Sequence, residues 1–180
     1  MRHGGEGATA IPQLVVLIGP PGTGKSYLAS RLSRQLGAVL VQTDAIRKDR
    51  FSRPTYSSKE SAAVYAQAHR TIADSLQAGR LVVFDATNLE EAKRQTLYEL
   101  AERAGAGLHL VWMWAPVGLI ARRLHQRGVA PDPEDRSDAN WAIYSQLART
   151  AEPPRRPFVV LNSTLSSDEQ LAALTQMLGD

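Results

Sequence analysis

The sequence predicts an α/β fold: a five-stranded parallel sheet with helices on both faces. Short apolar runs alternate five times with stretches of helical periodicity. Continuous runs rich in branched residues suit strands buried on both faces of a parallel sheet, and strand–helix alternation is the pattern that builds one. The length of 180 residues, with 43% apolar and 22% charged, fits one domain around one core.

Each element follows from local chemistry. Residues 1–12 are polar and Gly-rich up to Pro12 and are expected to be a flexible tail, leaving 13–180 as one domain. Leu14–Ile18 is the first strand. A helix is expected over Lys25–Leu36, with Leu28, Leu32 and Leu36 on one face and Gly37 as its stop. Ala38–Val41 is the second strand, and Thr43–Ser58 is a long polar stretch. A helix over 59–78 repeats Val64, Ala68, Ile72 and Leu76 at helical spacing and closes at Gly79. Strand Leu81–Phe84, helix 90–104 closed by Gly105, and strand Leu108–Trp114 follow. Helices over 117–127 and 138–149 flank Pro131-Asp132-Pro133-Glu134-Asp135 and suggest a helical lid at about 116–140. Strand Phe158–Leu161 and a helix over Asp168–Leu178, capped by Ser166 or Ser167, complete the chain.

Composition excludes several functions. There are no cysteines, so disulfides, thiolate nucleophiles and zinc–cysteine sites are ruled out. No run of about 18 apolar residues exists, so no membrane span is expected. The segment Met1–Gly7 lacks the apolar stretch of a secretory leader, and a cytoplasmic protein is expected. Net charge is only +3, which argues weakly for nucleic acid. All basic residues but Lys25, Lys48, Lys59 and Lys93 are Arg, the side chain whose planar fork matches phosphate.

One motif is specific. Gly19-Pro20-Pro21-Gly22-Thr23-Gly24-Lys25-Ser26 matches G-x-x-x-x-G-K-[ST] in full, between a buried strand and a helix. The glycines permit positive φ and close backbone approach. The loop amides and the helix N-terminus then converge on phosphate oxygens. Lys25 would reach the β- and γ-phosphates, and the Ser26 hydroxyl would face Mg²⁺. The expected architecture is thus a three-layer P-loop NTPase fold, nucleoside-kinase-like, with a five-stranded parallel sheet and a helical lid. No N-K-x-D guanine-reading motif is present, so ATP is the expected nucleotide.

The strand ends supply the remaining candidates, because ligands of such sheets bind at the carboxyl ends of the strands. Asp85 ends the third strand, where a carboxylate orients the Mg²⁺ shell. It is followed by Ala86 rather than a water-activating acid, which favours transfer to a hydroxyl over hydrolysis. Asp44 and Arg47 follow the second strand at i and i+3. A helix starting there would put both on one face, with Asp44 as general base and Arg47 on the acceptor or the phosphoryl group. Arg122, Arg123 and Arg127 lie on the first lid helix, where Arg side chains can neutralise the transferring group. Asn162, after the fifth strand, is a candidate for the adenine side. The histidines His3, His69, His109 and His125 show no metal-ligand spacing.

Taken together, GPPGTGKS, TDAIR, VVFDATN and RRLHQR resemble the P-loop kinase family that includes the polynucleotide 5′-kinases, over about residues 12–165. Its similar members act on gluconate, antibiotics or, in the zeta-toxin group, nucleotide sugars. The resemblance implies Asp44 as the general base, Arg47 against the acceptor, and Arg127 with Arg123 on ATP phosphates. The segment Arg47–Lys59 has five basic residues, one acid before Lys59, and interleaved Phe51 and Tyr56. It reads equally as a single-strand binding stretch or a flap over a small anionic or polar substrate, and less strongly as an Arg-rich surface loop. The first expectation is a kinase of a polynucleotide 5′-hydroxyl. The alternatives are a kinase of a sugar, nucleoside or antibiotic hydroxyl, and a non-catalytic ATP-binding module.

Overall fold

A computed structural model describes residues 11–129 and 140–179, apart from the side chains of residues 127–129. The strands are β1 (Gln13–Ile18), β2 (Val39–Gln42), β3 (Leu81–Asp85), β4 (Gly107–Trp114) and β5 (Val159–Asn162). The helices are α1 (Lys25–Leu36), α2 (Thr43–Arg50), α3 (Ser58–Gln77), α4 (Glu91–Arg103), α5 (Val117–Val129), α6 (Trp141–Arg149) and α7 (Ser167–Gly179). All five strands run parallel in the order β2-β3-β1-β4-β5. The expected tail at 1–12 lies outside the described residues except for Ile11 and Pro12, and so does the 130–139 part of the expected lid.

Period-two alternation divides the core between the two faces of the sheet. Leu14, Val16, Ile18, Val82, Phe84 and Leu110 pack against Ala68, Ile72 and Leu76 of α3 and Leu97, Tyr98 and Ala101 of α4. Val15, Leu17, Val83, Val111 and Met113 face the other way, onto Leu28, Ala29 and Leu32 of α1 and Leu171 and Leu174 of α7. Residues 14–18 are completely buried because β1 has a strand on each side and a helix layer on each face. A third, small cluster joins Ala115, Ile120 and Leu124 to Leu119 and Tyr144, so α5 and α6 share their own apolar contact.

The structure differs from the sequence expectation at Thr43–Arg50, read as part of a polar stretch but folded as α2. This helix has almost no apolar periodicity to reveal it. Ile46 alone reaches the main core, and the helix instead buries Thr43 and Arg47.

A buried ionic network was also invisible in the pattern. Arg94 is completely buried on α4. Its Nε and Nη2 donate to Glu91 Oε2 at 3.0 and 2.7 Å, and Nη2 also donates to the Glu152 carbonyl at 2.7 Å. Its Nη1 donates to the Asn88 carbonyl. The Glu152 carboxylate in turn accepts the Glu91 N–H at 2.8 Å, and Glu152 N–H bonds the Leu89 carbonyl at 2.9 Å. The loop after β3 is thereby fastened to the chain leaving α6.

Candidate active site

The phosphate loop begins where β1 ends. Gly19 has φ +152, and a Cβ there would lie 2.8 Å from the Met113 carbonyl oxygen. Gly22 has φ +83, and a Cβ would lie 2.8 Å from Ile120 Cγ2 on α5. Only glycine fits either place. The Pro20 carbonyl accepts from Thr23 Oγ1 at 2.8 Å and from Lys25 Nζ at 3.0 Å, which closes the loop on itself. Gly19 N–H is fixed by the Thr87 carbonyl at 3.0 Å, so the loop after β3 props the phosphate loop. The first turn of α1 follows, and its amides have no carbonyl one turn earlier within the helix to bond.

A cavity of about 240 Å³ opens at the carboxyl ends of the strands. It is lined by Pro21, Gly22, Gly24, Lys25 and Ser26 of the phosphate loop and by Asp44, Arg47, Tyr56 and Tyr65. Ile143 and Leu147 of α6 and Gln42, Asp85 and Thr87 complete the wall. The structure thus gathers most of the residues the sequence singled out. Asp44 is in the first turn of α2 and partly exposed to the cavity. Asp85 is buried, its Oδ2 accepting from Gln42 Nε2 at 3.0 Å across paired strand ends.

Ser26 and Asp85 offer hard oxygen donors beside the phosphate loop. Among the described residues no group of three or more His, Asp or Glu could cage a metal. That donor set fits Mg²⁺, which holds one or two protein oxygens plus phosphates and water.

Arg47 does something the sequence did not foretell. Its Nη1 donates to Glu60 Oε1 at 2.6 Å, both side chains nearly fully buried, and Nη2 reaches Ser61 Oγ at 3.5 Å. Its guanidinium lies 4.6 Å from the Tyr56 ring centroid. Glu60 also accepts Thr55 N–H at 2.8 Å, Thr55 Oγ1 at 2.9 Å and Tyr56 N–H at 3.3 Å. Burial works against ionisation of Glu60, but the Thr55 amide and the Arg47 fork outweigh it and hold the carboxyl down to about 2. The signal for Glu60 was present in Ser57-x-x-Glu60, the capping-box pattern at the start of α3. Ser57 caps Glu60 N–H as that pattern requires, whereas Glu60 reaches beyond Ser57 to Thr55 and Tyr56.

The basic stretch after Asp44 is therefore not a continuous cationic stripe. Arg47 is inside, Arg50 bonds Gln67 Oε1 at 3.1 Å, and Phe51 sits against Arg50. Tyr65 is partly buried, and desolvation of its hydroxyl raises its pKa. His69 packs edge-on to Tyr65 and Phe84, and burial lowers its pKa and that of His109.

On the outer side of the loop, Arg123 Nη1 donates to the Gly22 carbonyl at 3.2 Å and Ser163 Oγ at 3.0 Å. Its Nη2 donates to the Ser163 carbonyl at 3.1 Å. Arg123 thus clamps the phosphate loop to the turn after β5. Asn162 closes that turn itself, its Oδ1 accepting Thr164 N–H at 3.0 Å. Its neighbours Ser163, Thr164 and Leu165 line a shallow depression with Arg122 and Arg123. The side chain of Arg127 lies outside the described residues.

A family profile described as an AAA domain matches residues 14–154. The chain belongs to this AAA domain family. Several proteins to which the chain is similar carry kinase names. It is 29% identical to an adenylate kinase of Mycobacterium leprae over 92% of this chain and 98% of that one. It is 25% identical to an L-seryl-tRNA(Sec) kinase of Methanococcus maripaludis over 64% of this chain and 46% of that one. A human 6-phosphofructo-2-kinase/fructose-2,6-bisphosphatase 4 matches at 28% over 54% of this chain. The match spans about a quarter of that relative's length, 24%. Among solved structures, a putative kinase from Chloroflexus aurantiacus superposes with a TM-score of 0.75 at 18% identity, covering 94% of this chain and 97% of that one. The Mycobacterium tuberculosis APS kinase CysC, in complex with AMPPNP and APS, gives 0.70 at 20%, covering 95% and 99%. A gluconokinase from Sinorhizobium meliloti gives 0.64 at 22%, covering 94% and 95%. These neighbours share the three-layer P-loop fold. Among the described residues of the AAA domain, no helix is long and apolar enough to cross a membrane.

Proposed function

We propose that this protein is an ATP-dependent phosphotransferase acting on a hydroxyl of a small molecule. The observation that carries this is a cavity of about 240 Å³ lined by both the phosphate loop and Asp44. That volume is below the ~300–1,000 Å³ of ordinary ligand pockets, which suits a phosphate tail plus a compact acceptor. Relatives that are gluconokinase, APS kinase and adenylate kinase favour this alternative over the polynucleotide 5′ end. The inward Arg47 removes one of the cations a strand backbone would need.

In this reading the amides of residues 22–26 and Lys25 hold the phosphates, and α5 with Arg123 keeps the loop in place. Asp44 accepts the acceptor's hydroxyl proton as its oxygen bonds the γ-phosphorus, and the bond from that phosphorus to the β–γ bridging oxygen breaks to leave ADP. Mg²⁺, when bound with the nucleotide, offsets the phosphate charge, and Ser26 and Asp85 are the residues that would hold it. The test is label transfer from γ-labelled ATP to a panel of small alcohols. Asp44→Asn is expected to slow transfer by about 10²–10⁴ while nucleotide affinity stays within a factor of two or so. Normal turnover by that variant would reduce Asp44 to a helix-start residue. Absence of nucleotide binding by the unmodified protein would end the proposal.

A further inference from the structure

We infer that the acceptor is an uncharged hydroxyl compound carrying a ring or comparably flat apolar face, seated between Tyr56 and the α6 residues Ile143 and Leu147. This inference rests on the kinase reading above and narrows it. Arg47 is the described cation on the acceptor side of the cavity, and its charge is already matched by Glu60 at 2.6 Å. To grip a carboxylate or phosphate of an acceptor, it would have to abandon a buried carboxylate and the Tyr56 face.

What Arg47 and Glu60 achieve instead is to position a ring. Glu60 binds the backbone on both sides of the Thr55–Tyr56 peptide, and Tyr56 is held at φ 55, a left-handed conformation few side chains adopt. Its ring lies on the Arg47 guanidinium and remains 48% exposed at the cavity. Ile143 on α6 is 40% exposed, and both it and Leu147 line the same space. Rigid aromatic and branched side chains around a few polar groups are the lining that selects apolar ligands. Tyr65 and Thr87 line the same space and supply polar fixing points.

The experiment measures kcat/KM for transfer from labelled ATP to matched pairs of alcohols. The pairs are 4-nitrobenzyl alcohol with 4-carboxybenzyl alcohol, and a nucleoside with its 3′-monophosphate, which keeps the 5′-hydroxyl. The expected result is labelling of a ring-bearing neutral member at roughly tenfold or more above its anionic partner. With that acceptor, Tyr56→Ala is expected to raise the acceptor KM by a similar factor without altering ATP affinity, and Tyr56→Phe to restore it. Equal or better use of the anionic partners overturns the inference. So does a protein that binds a non-hydrolysable ATP analogue but labels no neutral member, a result that leaves the nucleotide half of the kinase reading standing. Failure to bind the analogue overturns both.

Discussion

Arg94→Met removes the centre of the buried network on α4 while keeping an unbranched apolar stem. The substitution deletes two bonds to Glu91 Oε2, at 3.0 and 2.7 Å, and one to the Glu152 carbonyl at 2.7 Å. The Asn88 carbonyl loses its guanidinium donor as well. Glu91, itself buried, keeps neutral donors alone: the Tyr98 hydroxyl at 3.2 Å and the Arg155 N–H at 3.4 Å on Oε2, and Gln95 Nε2 at 3.2 Å on Oε1. Burial alone would raise the Glu91 pKa, and with Arg94 beside it the carboxyl is held below its ordinary value. Without Arg94 the burial effect is opposed only by neutral donors such as the Arg155 N–H and the Tyr98 hydroxyl. Removing one partner of a buried pair costs about 3–5 kcal/mol. For a domain of this size each kcal/mol lowers Tm by roughly 2–4 °C, so a fall of about 6–20 °C is expected. Thermal and urea melts measure it, and the double variant Arg94→Met/Glu91→Leu should recover part of the loss because no lone charge remains. A loss under about 1 kcal/mol for Arg94→Met alone would refute the reasoning, since that is the span of an exposed pair.

Further outcomes are equally specific. Gly22→Ala places a methyl 2.8 Å from Ile120 and imposes φ +83 on an L-residue; the backbone term alone costs about 1–2 kcal/mol, read as a lower urea midpoint together with weaker nucleotide binding. Gln42→Leu strips Asp85 Oδ2 of its 3.0 Å donor; calorimetric titration of nucleotide should then show a shifted Mg²⁺ dependence and unchanged metal-free affinity, and an unmoved Mg²⁺ dependence would make Gln42 mere filler. Glu60 is held down to about 2, so its stabilising contribution is full above its ordinary value and drains away as pH falls from about 4.5 toward 2. Glu60→Gln should flatten that acid limb of the stability curve, and an unchanged limb would mean that other carboxylates set it.

The sheet, the phosphate loop and Asp85 were legible because their signals are local. Five apolar runs announce five strands, and an eight-residue motif carries the loop within consecutive positions. Helix α2 was legible only as the helix start weighed at Asp44, since no apolar face marks it and Arg47 meets its carboxylate thirteen positions further on. The same holds for Arg94, whose partners include a carbonyl 58 residues away. Arg47 shows the general difficulty most clearly. A cation beside a candidate base reads as a ligand clamp until a distant carboxylate is found in contact with it. Asn162 shows a finer limit: the strand end was located, but which neighbouring side chain faces the depression depends on an Asx turn.

The position of β1 in the sheet has a consequence for how the chain is made. Gln13 pairs with Leu81 on one side and Gly107 on the other, 68 and 94 residues further along. A ribosome therefore releases Leu-Val-Val-Leu-Ile long before either ladder partner exists. During that interval a segment of high β-propensity and no charge has nothing native to join, which is the composition that seeds misassociation. Synthesis of this protein should accordingly profit from a holding chaperone until Trp114 has emerged.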